Sequence, residues 1–187
     1  MGSSYNSLTP ELSDFIREQL VFFTATAPHS GRVNVSPKGM DTFRIIDSGR
    51  VAYLDMTGSG NETAAHIREN GRVTLMFCSF GNKAMTLRLY GRGRVVRPGA
   101  PDWSGLRELF GPPIAGERQI MEVAIDSVGT SCGYGVPRAE SLHPRDTLIR
   151  YWENKRSEVA KCWVRYNTVS IDGLPTGISD PIEPGKQ

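Results

Sequence analysis

Residues 57–71 read TGSGNETAAHIRENG, a glycine-rich loop that opens a short helix. Gly58 and Gly60 allow backbone conformations that other residues avoid, and they let a ligand approach the main chain closely. Ser59 or Asn61 can serve as the N-cap of the helix, and the first N–H groups of the helix then point outward. The stretch therefore predicts a turn that presents backbone donors.

Apolar runs at residues 51–54 and 73–77 flank this stretch and predict a strand on either side of it. Ala64 and Ile67 give the helix a narrow apolar stripe, and Gly71 stands where a helix C-terminus favours glycine. A strand, a glycine loop and a helix N-terminus together form an anion site, most often for phosphate. The alternative is a tight turn with an ordinary cap, because short glycine motifs also occur in such turns.

Working outward, β-branched and aromatic runs predict strands at residues 20–26, 32–36, 43–46, 51–55, 72–78 and 85–96. Pro37 is expected to end the second strand, because proline has no N–H for the ladder. Gly91 and Gly93 predict a bend in the last strand. Strand follows strand without crossover helices, and Thr63 occupies the third glycine position of G-x-G-x-x-G, which argues against a Rossmann domain. An antiparallel, Greek-key-like barrel that is closed or nearly closed fits best.

Helices are added before and after this barrel. Thr9 and Pro10 mark a helix start, as N-cap and first helical residue. Later segments predict a helix, a strand, a glycine-rich loop and a long helix, at residues 103–109, 119–128, 129–137 and 145–166 respectively. We therefore expect one mainly β domain with α additions over residues 1–187, with the barrel at about 20–128 and the loop, helix and tail at 129–187.

Composition excludes several classes of protein. The formal net charge is +2 and the arginines are scattered, so we expect no nucleic-acid partner. No apolar run approaches the ~20 residues of a membrane helix, and the first residues lack a signal peptide's regions, so we expect a cytoplasmic protein without a membrane partner. The three cysteines match neither a disulfide framework nor a zinc site.

Candidate catalytic residues are few. No pair of the three histidines has metal-ligand spacing, and His66 is read as a surface or packing residue. Ser59 lacks the G-x-S-x-G pattern of hydrolases, and no basic residue lies near Cys132 in sequence to lower its pKa. Lys38 is more informative, because a strand ending at S-P-K-G aims an ammonium at the rim that holds the glycine loop; the alternative is a solvated lysine in a turn.

These residues together resemble a known family. From about residue 22 to 96 the sequence is similar to the FMN-binding split barrel of the pyridoxamine 5′-phosphate oxidase family, and residues 131–137 and 170–175 resemble an uncharacterised branch of that superfamily. The resemblance implies a split β-barrel that binds FMN. The cofactor-binding positions that it implies are Asn34, Val35, Ser36, Lys38, Leu54, Asp55, Asn61, Thr63 and Thr86.

The sequence also departs from the family. Glu62 and Thr63 replace basic residues of the phosphate-binding helix, and residues 167–187 contain neither the arginine nor the histidine that hold the oxidase's substrate. Oxidation of pyridoxamine phosphate is therefore not expected. The resemblance implies an FMN-dependent oxidoreductase acting on a small molecule, with Tyr134 and Arg138 as candidates for substrate contact. The alternatives are a non-enzymatic flavin or haem binder, and a deazaflavin-dependent reductase, which the acidic Glu62 keeps open.

A homodimer is expected as well. A split barrel has an open side, and Trp152 and Trp163 add apolar surface in the tail. An exposed apolar patch usually marks an interface.

Overall fold

The strands form one antiparallel sheet in the computed structural model, which describes residues 2–182. The strands are β1 (Ser3–Tyr5), β2 (Phe22–Thr26), β3 (Asn34–Lys38), β4 (Phe43–Asp47), β5 (Arg50–Met56), β6 (Arg72–Cys78), β7 (Met85–Val96) and β8 (Glu117–Cys132). The helices are α1 (Pro10–Arg17), α2 (Glu62–Asn70), α3 (Trp103–Glu108), α4 (Thr147–Glu153) and α5 (Val159–Tyr166).

The strand order is β3-β2-β6-β7-β8-β5-β4, and β1 pairs with β8 beyond the end of β5. The two outer strands of this order do not pair with each other within residues 2–182. The sheet is therefore an open, split β-barrel, as predicted. Its arrangement brings β3 and β5 to the same side as α2.

Two apolar cores lie on opposite faces of β5. Val51 and Tyr53 belong to the barrel core, whereas Ala52 and Leu54 pack into a second core beside α3. Successive side chains of a strand point to opposite faces, so a strand buried on both sides carries apolar residues throughout. Asp55 follows Leu54 and returns to the barrel side.

The bend predicted in β7 is present. The register of β7 against β8 shifts between Tyr90 and Gly91. A Cβ atom at Gly91 would collide with the carbonyl oxygen of Ala124 on the neighbouring strand. A glycine is required there because the two backbones approach too closely for any side chain.

The second strand, predicted at residues 32–36, lies two residues further along the chain in the structure. β3 begins at Asn34 and runs through Pro37 to Lys38, instead of ending before the proline. Pro37 is tolerated because β3 is an edge strand, which pairs with β2 alone among the strands of residues 2–182, so its other side needs no N–H. This shift carries Lys38 into the sheet.

Three further expectations need correction. The strand β1 was not predicted. β8 continues past its predicted end at residue 128 to Cys132, because β1 pairs with residues 128–130 and β7 pairs with β8 as far as Cys132. The long helix predicted at 145–166 is broken into α4, a short 3-10 helix (Arg156–Glu158) and α5. Residues 153–158 are all exposed, so no buried face holds a continuous helix there.

The two tail tryptophans do not form an open patch. Trp152 is buried, Trp163 is half-buried, and both indole N–H groups bond to Thr57.

Within residues 2–182, none of the helices has the length and apolarity needed to span a bilayer. The sequence also predicts frayed final residues, and those at 183–187 lie outside the described part of the chain.

Candidate cofactor site

A polar cavity of about 230 Å³ lies between β3, the end of β5 and the N-terminus of α2. Its lining combines three strands with the whole glycine loop: Asn34, Ser36, Lys38, Asp55, Met56, Gly58, Ser59, Gly60, Asn61, Glu62, Thr63 and Arg118. Six of the nine residues predicted to bind a cofactor are in this lining. We call it the polar cavity.

Side chains on one face of β3 form one wall of the polar cavity. Asn34, Ser36 and Lys38 alternate along the strand and share one face, with Val35 on the other and 61% exposed. The amide Nδ2 of Asn34 donates to Oγ1 of Thr63 at 3.3 Å, which ties β3 to the first turn of α2. The wall therefore presents an amide, a hydroxyl and an ammonium group.

A buried carboxylate organises the base of the polar cavity. Asp55 is 1% exposed; its Oδ1 accepts a hydrogen bond from Lys38 Nζ at 2.9 Å, and its Oδ2 accepts from Arg118 Nη2 at 2.6 Å and from Gln119 Nε2 at 3.0 Å. Burial opposes ionisation, but the Arg118 and Lys38 cations outweigh it and hold the pKa of Asp55 well below its usual range. One carboxylate between two cations leaves an excess positive charge within this group, and the carboxylate of Glu62 in the same lining offsets it.

The N-terminus of α2 opens into the polar cavity without a side-chain cap. Asn61 occupies the N-cap position, but its side chain makes no capping hydrogen bond. Its Oδ1 instead accepts from Gln119 Nε2 at 2.7 Å, and its Nδ2 donates to the carbonyl of Asn167 at 3.4 Å. Asn61, one of the two residues predicted for this position, is therefore the N-cap residue, but its side chain does not cap the helix because it bonds to buried partners from β8 and the tail.

The tail holds the glycine loop in place. Trp152 Nε1 donates to the carbonyl oxygen of Thr57 at 2.9 Å, and Asn167 Nδ2 donates to that of Gly58 at 3.2 Å. Arg118 Nη1 donates to the carbonyl oxygen of Gly60 at 3.0 Å and to Oδ1 of Asn167 at 2.8 Å. The loop is thus fixed by residues more than fifty positions away in sequence.

Sequence reasoning missed Arg118, Gln119 and Asn167. A partial signal existed for the first two, because these adjacent polar residues directly precede the apolar pair Ile120 and Met121, and polar side chains in a buried part of a strand need hydrogen-bond partners. Asn167 gives no local signal, since it follows α5 in a polar stretch.

A second cavity, of about 520 Å³, adjoins the polar cavity and shares Asn34, Ser59, Gly60 and Glu62 with it. Exposed apolar side chains line part of it: Val33, Tyr166, Val169 and Ile171, which we call the exposed apolar cluster. Glu62 turns its carboxylate toward this side, where both oxygens accept from the N–H of Ile171, at 3.0 and 3.1 Å. Glu62 therefore has a main-chain partner in the tail.

The remaining predicted residues lie elsewhere. Val35 is on the outer face of β3, Leu54 is in the second core, and Thr86 pairs with Cys78 and Ser131 within the sheet. Tyr134 and Arg138 are exposed in the loop after β8, outside the polar cavity.

The other reactive side chains have structural or solvent-exposed positions. His66 is a packing residue: it is buried, and its Nδ1 lies 3.0 Å from Thr26 Oγ1. Cys132 is exposed at the end of β8. Across residues 2–182, no group of three or more potential metal ligands occurs.

The fold is a split barrel with a polar cavity beside the N-terminus of α2. The family profile described as pyridoxamine 5′-phosphate oxidase matches residues 8–132. A relative from Aspergillus flavus, the pyridoxamine 5′-phosphate oxidase family protein ustO, is 36% identical over 189 residues, which cover 91% of this chain and 76% of that protein. The chain therefore belongs to the pyridoxamine 5′-phosphate oxidase family.

Solved structures share the fold. HupZ from Group A Streptococcus has a TM-score of 0.54 at 20% identity, over 65% of this chain and 91% of that one. A protein from Lactobacillus delbrueckii, described as a putative pyridoxamine 5′-phosphate oxidase, has a TM-score of 0.50 at 20% identity, over 66% and 94%. At this identity the likeness concerns the fold alone.

Proposed function

We propose that this chain is an FMN-dependent oxidoreductase that acts on a small molecule. The observation that carries the proposal is the convergence, in the polar cavity, of the uncapped N-terminus of α2 with the ammonium group of Lys38. Backbone N–H groups at a helix N-terminus, joined by a cation, form a favourable site for phosphate. Membership of the family supports the choice of a flavin phosphate as the ligand.

The donors in the polar cavity fit the phosphate of FMN. Ser36, Asn34 and Thr63 supply hydroxyl and amide groups beside the Lys38 ammonium. Asp55 fixes Lys38 from below and stays ionised, so the ammonium keeps its position and its charge-assisted hydrogen bond. Glu62 is the one unfavourable charge at the mouth, and its bond to Ile171 draws it toward the tail.

The polar cavity is too small for a whole cofactor, since ligand sites usually enclose about 300–1,000 Å³. The adjoining cavity of about 520 Å³ supplies the remaining space, and its exposed apolar cluster suits an aromatic ring. In this proposal the phosphate occupies the polar cavity, and the ring system and substrate occupy the adjoining one.

The chain itself contributes binding and orientation. A bound flavin supplies hydride transfer, which no side chain can perform. Asp55 accepts hydrogen bonds from three residues, Lys38, Arg118 and Gln119, and is not free to accept a substrate proton. Burial, reinforced by the nearby Asp55 charge, raises the pKa of Tyr53 far above neutrality, so its phenol remains protonated. These positions provide no general base.

The decisive experiment is the visible spectrum of the purified protein, followed by anaerobic addition of NADH or NADPH. A flavin absorption band that bleaches on reduction supports the proposal. A Soret band indicates a haem binder instead. A colourless protein that does not take up added FMN contradicts the proposal and favours a deazaflavin cosubstrate or no cofactor.

A lysine variant tests the phosphate assignment separately. Removing a charge-assisted hydrogen bond costs about 1.5–3 kcal/mol, so Lys38→Gln is expected to weaken FMN binding by roughly ten- to a hundredfold. Riboflavin, which lacks the phosphate, is expected to bind the variant almost as it binds the unmodified protein. Lys161→Gln is the matched control, because Lys161 lies exposed on α5. An equal loss for both ligands would place the phosphate elsewhere.

A further inference from the structure

A separate cavity of about 570 Å³ lies where α2, the end of β7 and residues 176–181 meet. It shares no lining residue with the polar cavity or the cavity that adjoins it. Among the residues that the structure describes, its lining includes three arginines, Arg68, Arg94 and Arg97, and one carboxylate, that of Asp180. The proposed flavin chemistry does not use this cavity.

The three guanidinium groups differ in their partners. Arg94 contacts two carboxylates, Asp102 and Glu122, and its charge is therefore compensated. Arg68 pairs with Asp180, with 2.7 Å between Nη2 and Oδ2. Arg94 therefore has two carboxylate partners, and Arg68 pairs with Asp180, whose carboxylate lines the cavity.

Arg97 is held by neutral groups. Its Nη1 donates to the carbonyl oxygens of Gly177 and Asp180, the latter at 2.7 Å, and its Nη2 donates to that of Pro181 at 3.4 Å. Burial lowers the pKa of Arg97; the nearby Asp180 carboxylate opposes this, and the Arg68 cation adds to it. Within the described part of the chain, Arg97 and Arg68 are thus neighbouring cations that have one carboxylate, that of Asp180, between them.

Asp180 is a replaceable partner. Its side chain is 45% exposed and the ion pair with Arg68 lies at the surface, where such pairs contribute little to stability. An incoming anion can displace this carboxylate into water at low cost. The apolar part of the lining, Ile67, Val95 and Pro181, offers contact to a carbon skeleton.

We infer that this cavity binds a small organic anion, with Arg97 and Arg68 holding its phosphate or carboxylate group and the apolar lining contacting the rest of it. The two anionic groups share the chemistry that guanidinium recognises, since its planar fork matches both. This site does not depend on the proposed function, because it is separate from the polar cavity.

The test is calorimetric titration of the protein with pyrophosphate and, separately, with citrate. Lys38→Gln is included because the polar cavity also attracts phosphate. Binding is expected to persist in Lys38→Gln, to weaken at least tenfold in Arg97→Gln, and to remain unchanged in the control Arg150→Gln, whose arginine lies exposed on α4. The probe that binds more tightly identifies the anionic group that the cavity prefers.

Asp180→Asn distinguishes a ligand site from a clamp that only fastens residues 176–181. Removal of the competing carboxylate is expected to tighten binding of the preferred probe several-fold, a gain that a damaged fold cannot produce. The inference is overturned if neither probe binds the unmodified protein, if Lys38→Gln abolishes the binding, or if Asp180→Asn leaves the affinity unchanged.

Discussion

The Nζ atom of Lys38 lies 2.9 Å from Oδ1 of Asp55, and this ion pair joins the edge strand β3 to the buried strand β5 at the base of the polar cavity. The side chain of Lys38 is partly exposed in the cavity, whereas that of Asp55 is buried and also forms an ion pair with Arg118. The pair therefore links the stability of the barrel to the charge that the cavity presents.

Asp55→Asn is expected to destabilise the fold by about 3–5 kcal/mol, because removal of one partner leaves the buried Arg118 cation uncompensated. Urea denaturation of the two proteins measures the difference. Asp14→Asn is the matched control, since its ion pair with Arg17 is exposed and its removal should change the free energy of unfolding by less than about 1 kcal/mol. Equal effects of the two substitutions would show that the buried pair is not structurally important.

Acid stability follows from the same carboxylate. The pKa of Asp55 is lower in the folded chain than the value of about 3.9 in an unfolded one, so the unfolded chain binds the proton first. The stabilisation by this group is complete above about pH 4 and is lost as the pH falls toward the folded pKa. The free energy of unfolding is therefore expected to fall more steeply below about pH 4 in the unmodified protein than in Asp55→Asn. Parallel curves would contradict this.

Glu62→Gln is expected to tighten FMN binding several-fold and to leave riboflavin binding nearly unchanged, because it removes a negative charge beside the proposed phosphate site. The amide oxygen of glutamine can still accept the hydrogen bond from Ile171, so the tail keeps its attachment. A small loss of stability is expected, since a carboxylate favours a helix N-terminus. Fluorescence titration measures both affinities, with Glu69→Gln at the other end of α2 as control. An equal shift for both ligands would exclude a phosphate at this helix end.

Pyridoxamine 5′-phosphate is expected to be turned over negligibly. Residues 167–187 supply no arginine or histidine to hold this substrate, and the described part of that segment binds the glycine loop instead. The measurement is formation of pyridoxal phosphate by the FMN-loaded protein under air. A rate on the order of 1 per second or more would be ordinary enzymatic turnover and would contradict the expectation.

A homodimer is expected, with the exposed apolar cluster at or near its interface. The tail tryptophans pack inside the chain and do not supply this surface. The expected interface is instead the exposed apolar cluster, because its four side chains lie exposed together beside the proposed site, and such patches usually mark interfaces. Light scattering at micromolar concentration is expected to give twice the mass of the chain.

Charge insertion tests the location of this interface. Ile171→Glu is expected to shift the protein toward a monomer, and Val164→Glu, at an exposed position on α5 outside the cluster, is expected to leave the dimer intact. A monomeric unmodified protein, or equal effects of the two substitutions, would argue against this surface.

Much of the fold was predictable because it depends on local patterns. The bounds of β6 follow from its apolar run and those of β7 from its long alternating pattern, and α1 begins where Thr9 and Pro10 place it. Gly71 ends α2 in the left-handed conformation, as its position predicted. In each case neighbouring residues impose the backbone geometry.

Only the part of the site that β3 and the glycine loop form was predictable from the sequence. Lys38 and the glycine loop carry signals in their own segments, a strand end and a helix start. Asn61 illustrates the limit, because its position identified a cap but its side chain serves a buried network with Gln119 and Asn167. Sequence spacing cannot show which of two competing partners a polar side chain will choose.

The sequence by itself determined most of the strands, the glycine turn and the position of the helix start, since these depend on backbone preferences over a few residues. Only the tertiary structure decided that Arg118 supports the loop at Gly60 and that Asn167 holds Gly58. A buried polar group must find a partner to offset its desolvation, and that partner is set by which strands and loops the fold brings together, not by their order in the chain.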